Sequence, residues 1–556
     1  MLQNSYYKKY LKYKLKYNNL KNGLAIKYVR KPTILIEHSL IQTITSELHL
    51  EKDIKKVTTI DGINFTLHID KIYDILRNYP KDKCTKAEKY IIDLNLCPNA
   101  QIMEKLYQNH QQNLLMDLYF TLGNVYSLES NYFNKIYENL DLLDKIEIYL
   151  INYLNNLIED DKLSKFYNID IIKKWKQTIM NKPVTKTEYY KISQLPEEDK
   201  DKQWKRYELT WNKFNESCIK IKEHLSKIEK FYESKIKIET IGCYNIDKEL
   251  YLYCLESHLG IKLDIKKLEE FALKELDLLV IKMKNLLKKI EPNINTEETH
   301  ISIIKKIGES QLYKSKEEFI EHHQQVIDKY MNKFTKELKF KNYDKLHLIA
   351  FSNVNLAGGY YFDDKFYLNC SNWHDTYKYI TESLILHEAY PGHHLQIHNM
   401  KYSNEESNLL YSYFYKPTDG FCEGWGLFCE ELGFDQTLWD KVGQIEFEIF
   451  RTLRIIVDIR IHYKGHKPKE IFEYMKKYSS LSDGEIMSEV YRYCSTPGQA
   501  VAYKVGKQIF KKIVNSNNLL SEESIKLYKE IIFNGPMPLG LLLEKYNIDV
   551  NTLFSS

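Results

Sequence analysis

The stretch His387-Glu388-Ala389-Tyr390-Pro391-Gly392-His393-His394-Leu395-Gln396 concentrates three imidazoles, a carboxylate and a Pro-Gly break in one short segment. Upstream of it, Tyr377, Ile380, Leu384 and His387 recur at three- and four-residue spacing. That spacing predicts a helix whose buried stripe ends in His387. Downstream, Gly420 to Leu432 reads as a second helix with Phe421, Trp425, Phe428 and Leu432 on its apolar side. Glu423 sits beside that stripe, flanked by Gly424 and near Gly426, which permit close backbone approach.

A His-Glu pair on a buried helix suits a Zn²⁺ site, in which the imidazole binds the ion and the adjacent carboxylate polarises water. The ordinary spacing would place a second histidine four residues after the first, but that position is Pro391. In a straight helix His393 would be turned by roughly 240° from His387, and His394 would face correctly but lie about 10 Å along the axis. Pro391-Gly392 is where a helix should kink or loosen, and a bulge there brings His393 back. Geometry alone leaves His393 and His394 both open. Glu423 is the candidate third ligand.

Four ordered signatures carry a resemblance to a large bacterial family of unknown function grouped with the thermolysin-like gluzincin peptidases. The first is HExxPGHHxQ at 387–396, and the second is Glu423-Gly424-Trp425. The third is Arg454, Asp458 and His462 at four-residue steps. The fourth is Arg492-Tyr493 followed by Pro497-Gly498-Gln499-Ala500, Tyr503 and Gly506. Weaker similarity runs from about Gly242 to Leu543. The chain departs from the family in having Arg460-Ile461 where a glycine usually precedes the third-signature histidine, and His466 where a tryptophan usually follows it.

The resemblance implies Zn²⁺, one ion per chain, held by His387, His393 and Glu423, since related gluzincins place a Gly-His pair after His-Glu. Glu388 is then the general base, with His394 an alternative ligand or a neighbour of the ligands. It further implies that Asp458 orients a ligand histidine or His462, and that His462 and Tyr503 stabilise a developing oxyanion. Thr496-Pro497-Gly498-Gln499 reads as a capping box that would fix the Tyr503 helix. Arg492 suits a substrate carboxylate or, nearly as well, a structural ion pair.

Around this centre the chain reads as mainly α, a two-lobed helical metallopeptidase. Residues 1–30 form a basic Tyr/Lys-rich leader, 31–240 a helical scaffold and 241–556 the catalytic domain. Glu104–Tyr119, Leu142–Leu157 and Trp204–Tyr232 show helical periodicity. The best strand signals, Asn355–Tyr361 and Lys365–Asn369 around Asp363-Asp364, predict a hairpin just before the histidine cluster. There Gly359 and Tyr360 could align a substrate by strand addition.

The bulk numbers narrow the partners. With 80 basic and 76 acidic residues in 556 and a net charge of +4, no field of one sign exists to hold nucleic acid. Nine cysteines without a CxxC pair read as reduced thiols. No apolar run approaches the ~20 residues of a membrane span, and lysines interrupt the opening segment. Cytoplasmic residence is expected. The opening Tyr6 to Lys14 is similar to leaders of giant DNA virus proteins, for which the place would be host cytoplasm or virion. The expected partner is a peptide substrate, short peptides above all, and the oligomeric state is left open. The competing readings are a metal-dependent amidase or esterase, and a catalytically silent interaction protein that keeps the fold.

Overall fold

In the computed structural model, residues 39–50, 52, 65, 68–100, 148, 185–187, 196–235, 246–341, 345–351, 358–362, 364–402, 406–414 and 416–554 are described. The leader, the helices expected at Glu104–Tyr119 and Leu142–Leu157, and the start of the first expected strand lie outside them. The chain divides into two compact units, Tyr17–Cys243 and, with its first residues, Tyr244–Ser556. In the former, helices span Leu40–Glu47, Ile69–Asn78, Lys86–Leu96 and Glu197–Lys235. The last contains the whole Trp204–Tyr232 pattern. No helix among the described residues is long and apolar enough to cross a membrane.

The second unit is mainly α with one small sheet. The helices that build the site are labelled in chain order: α1 (Lys248–Leu259), α2 (Ile265–Ile290), α3 (Thr381–Glu388), α4 (His393–Tyr402), α5 (Asp419–Cys429), α6 (Leu438–His462), α7 (Asp483–Ser495), α8 (Ala502–Val514) and α9 (Glu522–Asn534). Helix α6 is the central rod. Thr437 starts it by accepting from the Asp440 amide, while Asp440 bonds back to Thr437. From Val442 onward its residues are buried on nearly every side, as befits a helix enclosed by its neighbours. Helix α2 packs along it. Helix α8 is fastened to it by buried ion pairs: Lys504 and Lys507 both reach Glu448 Oε1, at 2.6 and 2.8 Å. Breaking such a pair would strand a charge in the interior.

Helices α5 and α8 touch backbone to backbone. A Cβ on Gly506 would fall 2.0 Å from the Gly420 carbonyl oxygen, and one on Gly424 2.4 Å from the Gly506 Cα. Two glycines at one crossing let these helices meet closer than any side chain allows.

The sheet has strands β1 (His347–Phe351), β2 (Gly359–Phe362) and β3 (Lys365–Asn369) in the order β1-β3-β2. The expected hairpin is β2–β3, antiparallel, with Tyr360 opposite Tyr367 and Tyr361 opposite Phe366. Strand β1, parallel to β3, was not foreseen: five residues without flanking turn signals carry little pattern. Strand β2 is an edge and packs against α3.

Candidate metal centre

Helix α3 ends at Glu388, not beyond it. The chain then runs through Ala389–Gly392, with a cis Tyr390–Pro391 peptide, and a new helix begins at His393. A kink, a loosening or a bulge was expected here; instead the first helix stops and a second begins. Pro391 can donate no backbone hydrogen bond, and Ala389 leaves the helical region at φ −110°, ψ −96°. The indole of Trp425 donates to the Pro391 carbonyl at 3.1 Å, so α5 holds the corner it helps to bury.

This corner brings His387, His393 and Glu423 together, all buried, with one ligand atom of each lying within 4.8 Å of the others. Glu423 Oε2 stands 3.5 Å from His387 Nε2 and 3.7 Å from His393 Nε2. Those separations are long for hydrogen bonds. They suit ligands of one tetrahedral ion, which at bonds of ~2.0–2.2 Å stand roughly 3.4 Å apart. Neither carboxylate oxygen of Glu423 has a hydrogen-bond partner among the described residues. Such a buried carboxylate calls for a cation. Burial pushes its carboxyl group up, and the two imidazoles more than reverse this, holding it well below the usual range.

The outer faces of both imidazoles are fixed. His387 Nδ1 donates to Glu430 Oε1 at 2.8 Å, and His393 Nδ1 donates to Gln396 Oε1 at 3.1 Å. With the proton on Nδ1, each Nε2 presents its lone pair toward Glu423, the tautomer a metal ligand needs. Glu430 also faces Arg451 at 3.8 Å. Gly426 makes room for the pair: a Cβ there would lie 2.8 Å from His387 Nε2 and 3.0 Å from His393 Cε1. The residues present therefore fit Zn²⁺ in number, type and outer support.

Glu388 is buried beside this trio in the chain, and its Oε2 accepts the Tyr361 amide of β2 at 3.1 Å. The register explains why that amide is available. Asn369 donates to the Gly358 carbonyl, so the bonded pairs of the ladder are 358, 360 and 362, and the backbone of 359 and 361 points away from β3. Tyr503 on α8 stacks on His387 with ring centroids 6.3 Å apart. Its hydroxyl is buried without a hydrogen-bond partner among the described residues. Burial and then the nearby Glu423 push the phenol up, so it stays protonated and able to donate. The guanidinium of Arg454 lies over the Tyr503 ring at 4.5 Å.

Other sequence-derived assignments find different neighbours. Asp458 accepts from the Tyr251 hydroxyl at 2.8 Å and the Gly498 amide at 2.9 Å, and orients neither a ligand histidine nor His462. His462 donates from Nε2 to the Tyr493 carbonyl at 2.8 Å and stacks on Tyr251. Its contacts are thus with α1 and α7, not with the His387 trio. Arg492 bonds to Glu489 at 3.3 Å and to Gln499, an interior ion pair, and its guanidinium lies 5.8 Å from the Tyr503 ring centroid. Gly359 is buried, lying under Phe366 and Leu384, and Tyr360 stacks on Tyr367 at 4.9 Å. The capping box at Thr496 does not form. Thr496 closes α7 by bonding back to the Arg492 carbonyl, and Gly498, at φ 83°, precedes a short 3₁₀ turn before α8. His394 joins Asp364 and His398 in a separate cluster.

Sequence reasoning missed Gln396 and the Tyr361 amide as supports; for Glu430 and Gly426 it had the position beside Glu423 but not the imidazole each one meets. Glu430 lies two turns from Glu423 on one helix face, which was the available signal.

A comparison with curated proteins gives no match. Among solved structures, a lipoprotein candidate from Colwellia psychrerythraea superposes with a TM-score of 0.60 at 15% identity, over 92% of this chain and 96% of that one. A lipoprotein candidate of unknown function from Shewanella oneidensis superposes with a TM-score of 0.50 at 14% identity, over 88% and 92%. At such identities the likeness is one of fold. The family model described as bacterial protein of unknown function (DUF885) matches residues 165–545, the span that carries the metal trio, Glu388 and Tyr503, and the chain belongs to that family.

Proposed function

We propose that this protein is a zinc-dependent peptidase of gluzincin type. The observation that carries the reading is the buried Glu423 carboxylate, unpartnered by hydrogen bonds and facing the Nε2 atoms of His387 and His393. His387, His393 and Glu423 would hold the ion. When bound, Zn²⁺ supplies a Lewis acid for water and for the scissile carbonyl.

The chain's own groups divide the remaining work. Strand β2 is a sheet edge beside Glu388, and its outward carbonyls could accept from an extended peptide added as a further strand. Glu388 takes a proton from the attacking water as the new C–O bond forms, and returns it to the amine as the C–N bond breaks. The Tyr361 amide orients the carboxylate for both transfers. Tyr503, protonated and rigid between His387 and Arg454, donates to the developing oxyanion. The seven cysteines whose side chains are described are all free, which supports a reducing compartment such as the cytoplasm.

Elemental analysis of the purified chain, with a chelator-sensitive assay on mixed peptides, tests the reading. Bound zinc, loss of cleavage on chelation and recovery on adding Zn²⁺ are expected. Metal-free protein with unchanged cleavage would overturn it.

A further inference from the structure

The spacing that the first signature lacks occurs a few residues later. His394 and His398 stand four apart on α4, so their imidazoles share one face, the arrangement by which a helix offers two nitrogens to one metal ion. Both are wholly buried, and their ring centroids lie 4.3 Å apart. A carboxylate meets them from another element: Asp364, in the turn between β2 and β3. One ligand atom from each of the three residues lies within 4.8 Å of the others. Asp364 takes a positive φ of 58°, a conformation that Asp tolerates better than most residues, and its Oδ1 stands 2.5 Å from His398 Nε2.

We propose that Asp364, His394 and His398 form a second cation site, distinct from the His387 trio, that takes a divalent transition-metal ion. Two imidazoles and one carboxylate are the donor set that favours Zn²⁺ over Mg²⁺ or Ca²⁺, which prefer oxygen ligands. An ordinary Asp-His hydrogen bond would need only Asp364 and His398. The second buried imidazole, one helical turn away, brings a further nitrogen to the same point. A metal site would use it. The ion would fasten the β2–β3 turn to α4. Tyr361 connects that turn to the first centre, since its hydroxyl donates to Asp364 at 2.9 Å and its amide to Glu388 at 3.1 Å.

Zinc stoichiometry tests the proposal without reference to activity. Full-length chain, stripped with chelator and titrated with Zn²⁺, should take up two equivalents. His398→Ala should lose one, His387→Ala should lose one, and the double variant should bind none. Circular dichroism checks that each variant is folded. A wild-type chain that saturates at one equivalent, lost in His387→Ala and kept in His398→Ala, overturns the second site and leaves the proposed peptidase centre standing. One equivalent kept in His387→Ala and lost in His398→Ala supports the second site and removes the first. If His398→Ala does not fold, Co²⁺ titration of the wild type decides. A second equivalent that adds new visible absorption supports the proposal, and saturation after the first overturns it.

Discussion

Glu388 and Glu423 are both buried carboxylates of one centre, yet they bond differently. Glu388 accepts a backbone amide, whereas Glu423 has only imidazole nitrogens before it. In the proposed mechanism the first handles protons and the second holds an ion. Glu388→Gln should therefore keep zinc and lose about a thousandfold in turnover. Steady-state kinetics beside elemental analysis check this, and near-normal turnover with zinc retained would remove Glu388 from its role. Glu430→Ala leaves the three ligands in place but frees the ring of His387. A loss of about 10–100-fold in zinc affinity is expected, as for other partners of ligand histidines. Competition with a chelator of known affinity measures it. The convergence of His387, His393 and Glu423 was legible through the resemblance to known signatures, since helix spacing alone left His393 and His394 both open. The partners of Asp458 and His462 were not legible, for the opposite reason. Their partners, Tyr251 and Tyr493, stand on α1 and α7, and nothing local to α6 announces them.

At the scale of elements, the centre depends on how closely helices can approach. Gly426→Ala puts a methyl group against both ligand imidazoles at about van der Waals overlap. The fold should persist while zinc affinity falls by about tenfold or more, in keeping with ligand misorientation. Gly506→Ala acts on the α5–α8 crossing, where the new Cβ would meet the Gly420 carbonyl at 2.0 Å. Overpacking of this kind costs about 1–3 kcal/mol, so a thermal midpoint lowered by several degrees is expected with the metal still bound. Unchanged stability would mean that the helices can slide apart freely. The helical class and the β2–β3 hairpin were legible from periodicity and turn residues. The break at Pro391 was legible only as a weak point, because a proline shows where a helix fails and not the direction the chain takes afterwards. Thr496 shows the same ambiguity: its hydroxyl was available to open one helix and is used to close another.

For the whole molecule, the proposed metal would link binding to folding. A native state that binds zinc where the unfolded chain does not is stabilised by mass action. Chelation should lower the thermal midpoint, and added Zn²⁺ should restore it. Helix α6 also carries two groups that respond to pH in opposite directions. Burial lowers His462 from 6.5 to about 4, against the opposing effect of its bond to the Tyr493 carbonyl. The unfolded chain thus takes up this proton first, and the stability it contributes above pH 6.5 is lost as pH falls toward 4. Asp458 is raised by burial from 3.8 to about 7, so its contribution is present at low pH and lost as pH rises toward 7. Denaturation midpoints measured from pH 4 to 8 should show the acid-side loss reduced in His462→Gln and the loss toward neutrality reduced in Asp458→Asn. If both variants track the wild type across the range, burial has not shifted either group.

Strand β2 would tie the proposed proton chemistry to simple parity. Alternate amides of a strand face opposite ways, and in β2 the even-numbered ones belong to the ladder while that of Tyr361 turns outward to Glu388. Displacing β2 by one residue against β3 would exchange the two sets. The amide of Tyr361 would then be spent inside the sheet, and Glu388 would lose its donor without any change in its own helix. An insertion or deletion of one residue in the Asp363-Asp364 turn is thus a frame error for the centre, whereas a change of two residues returns the pattern to phase.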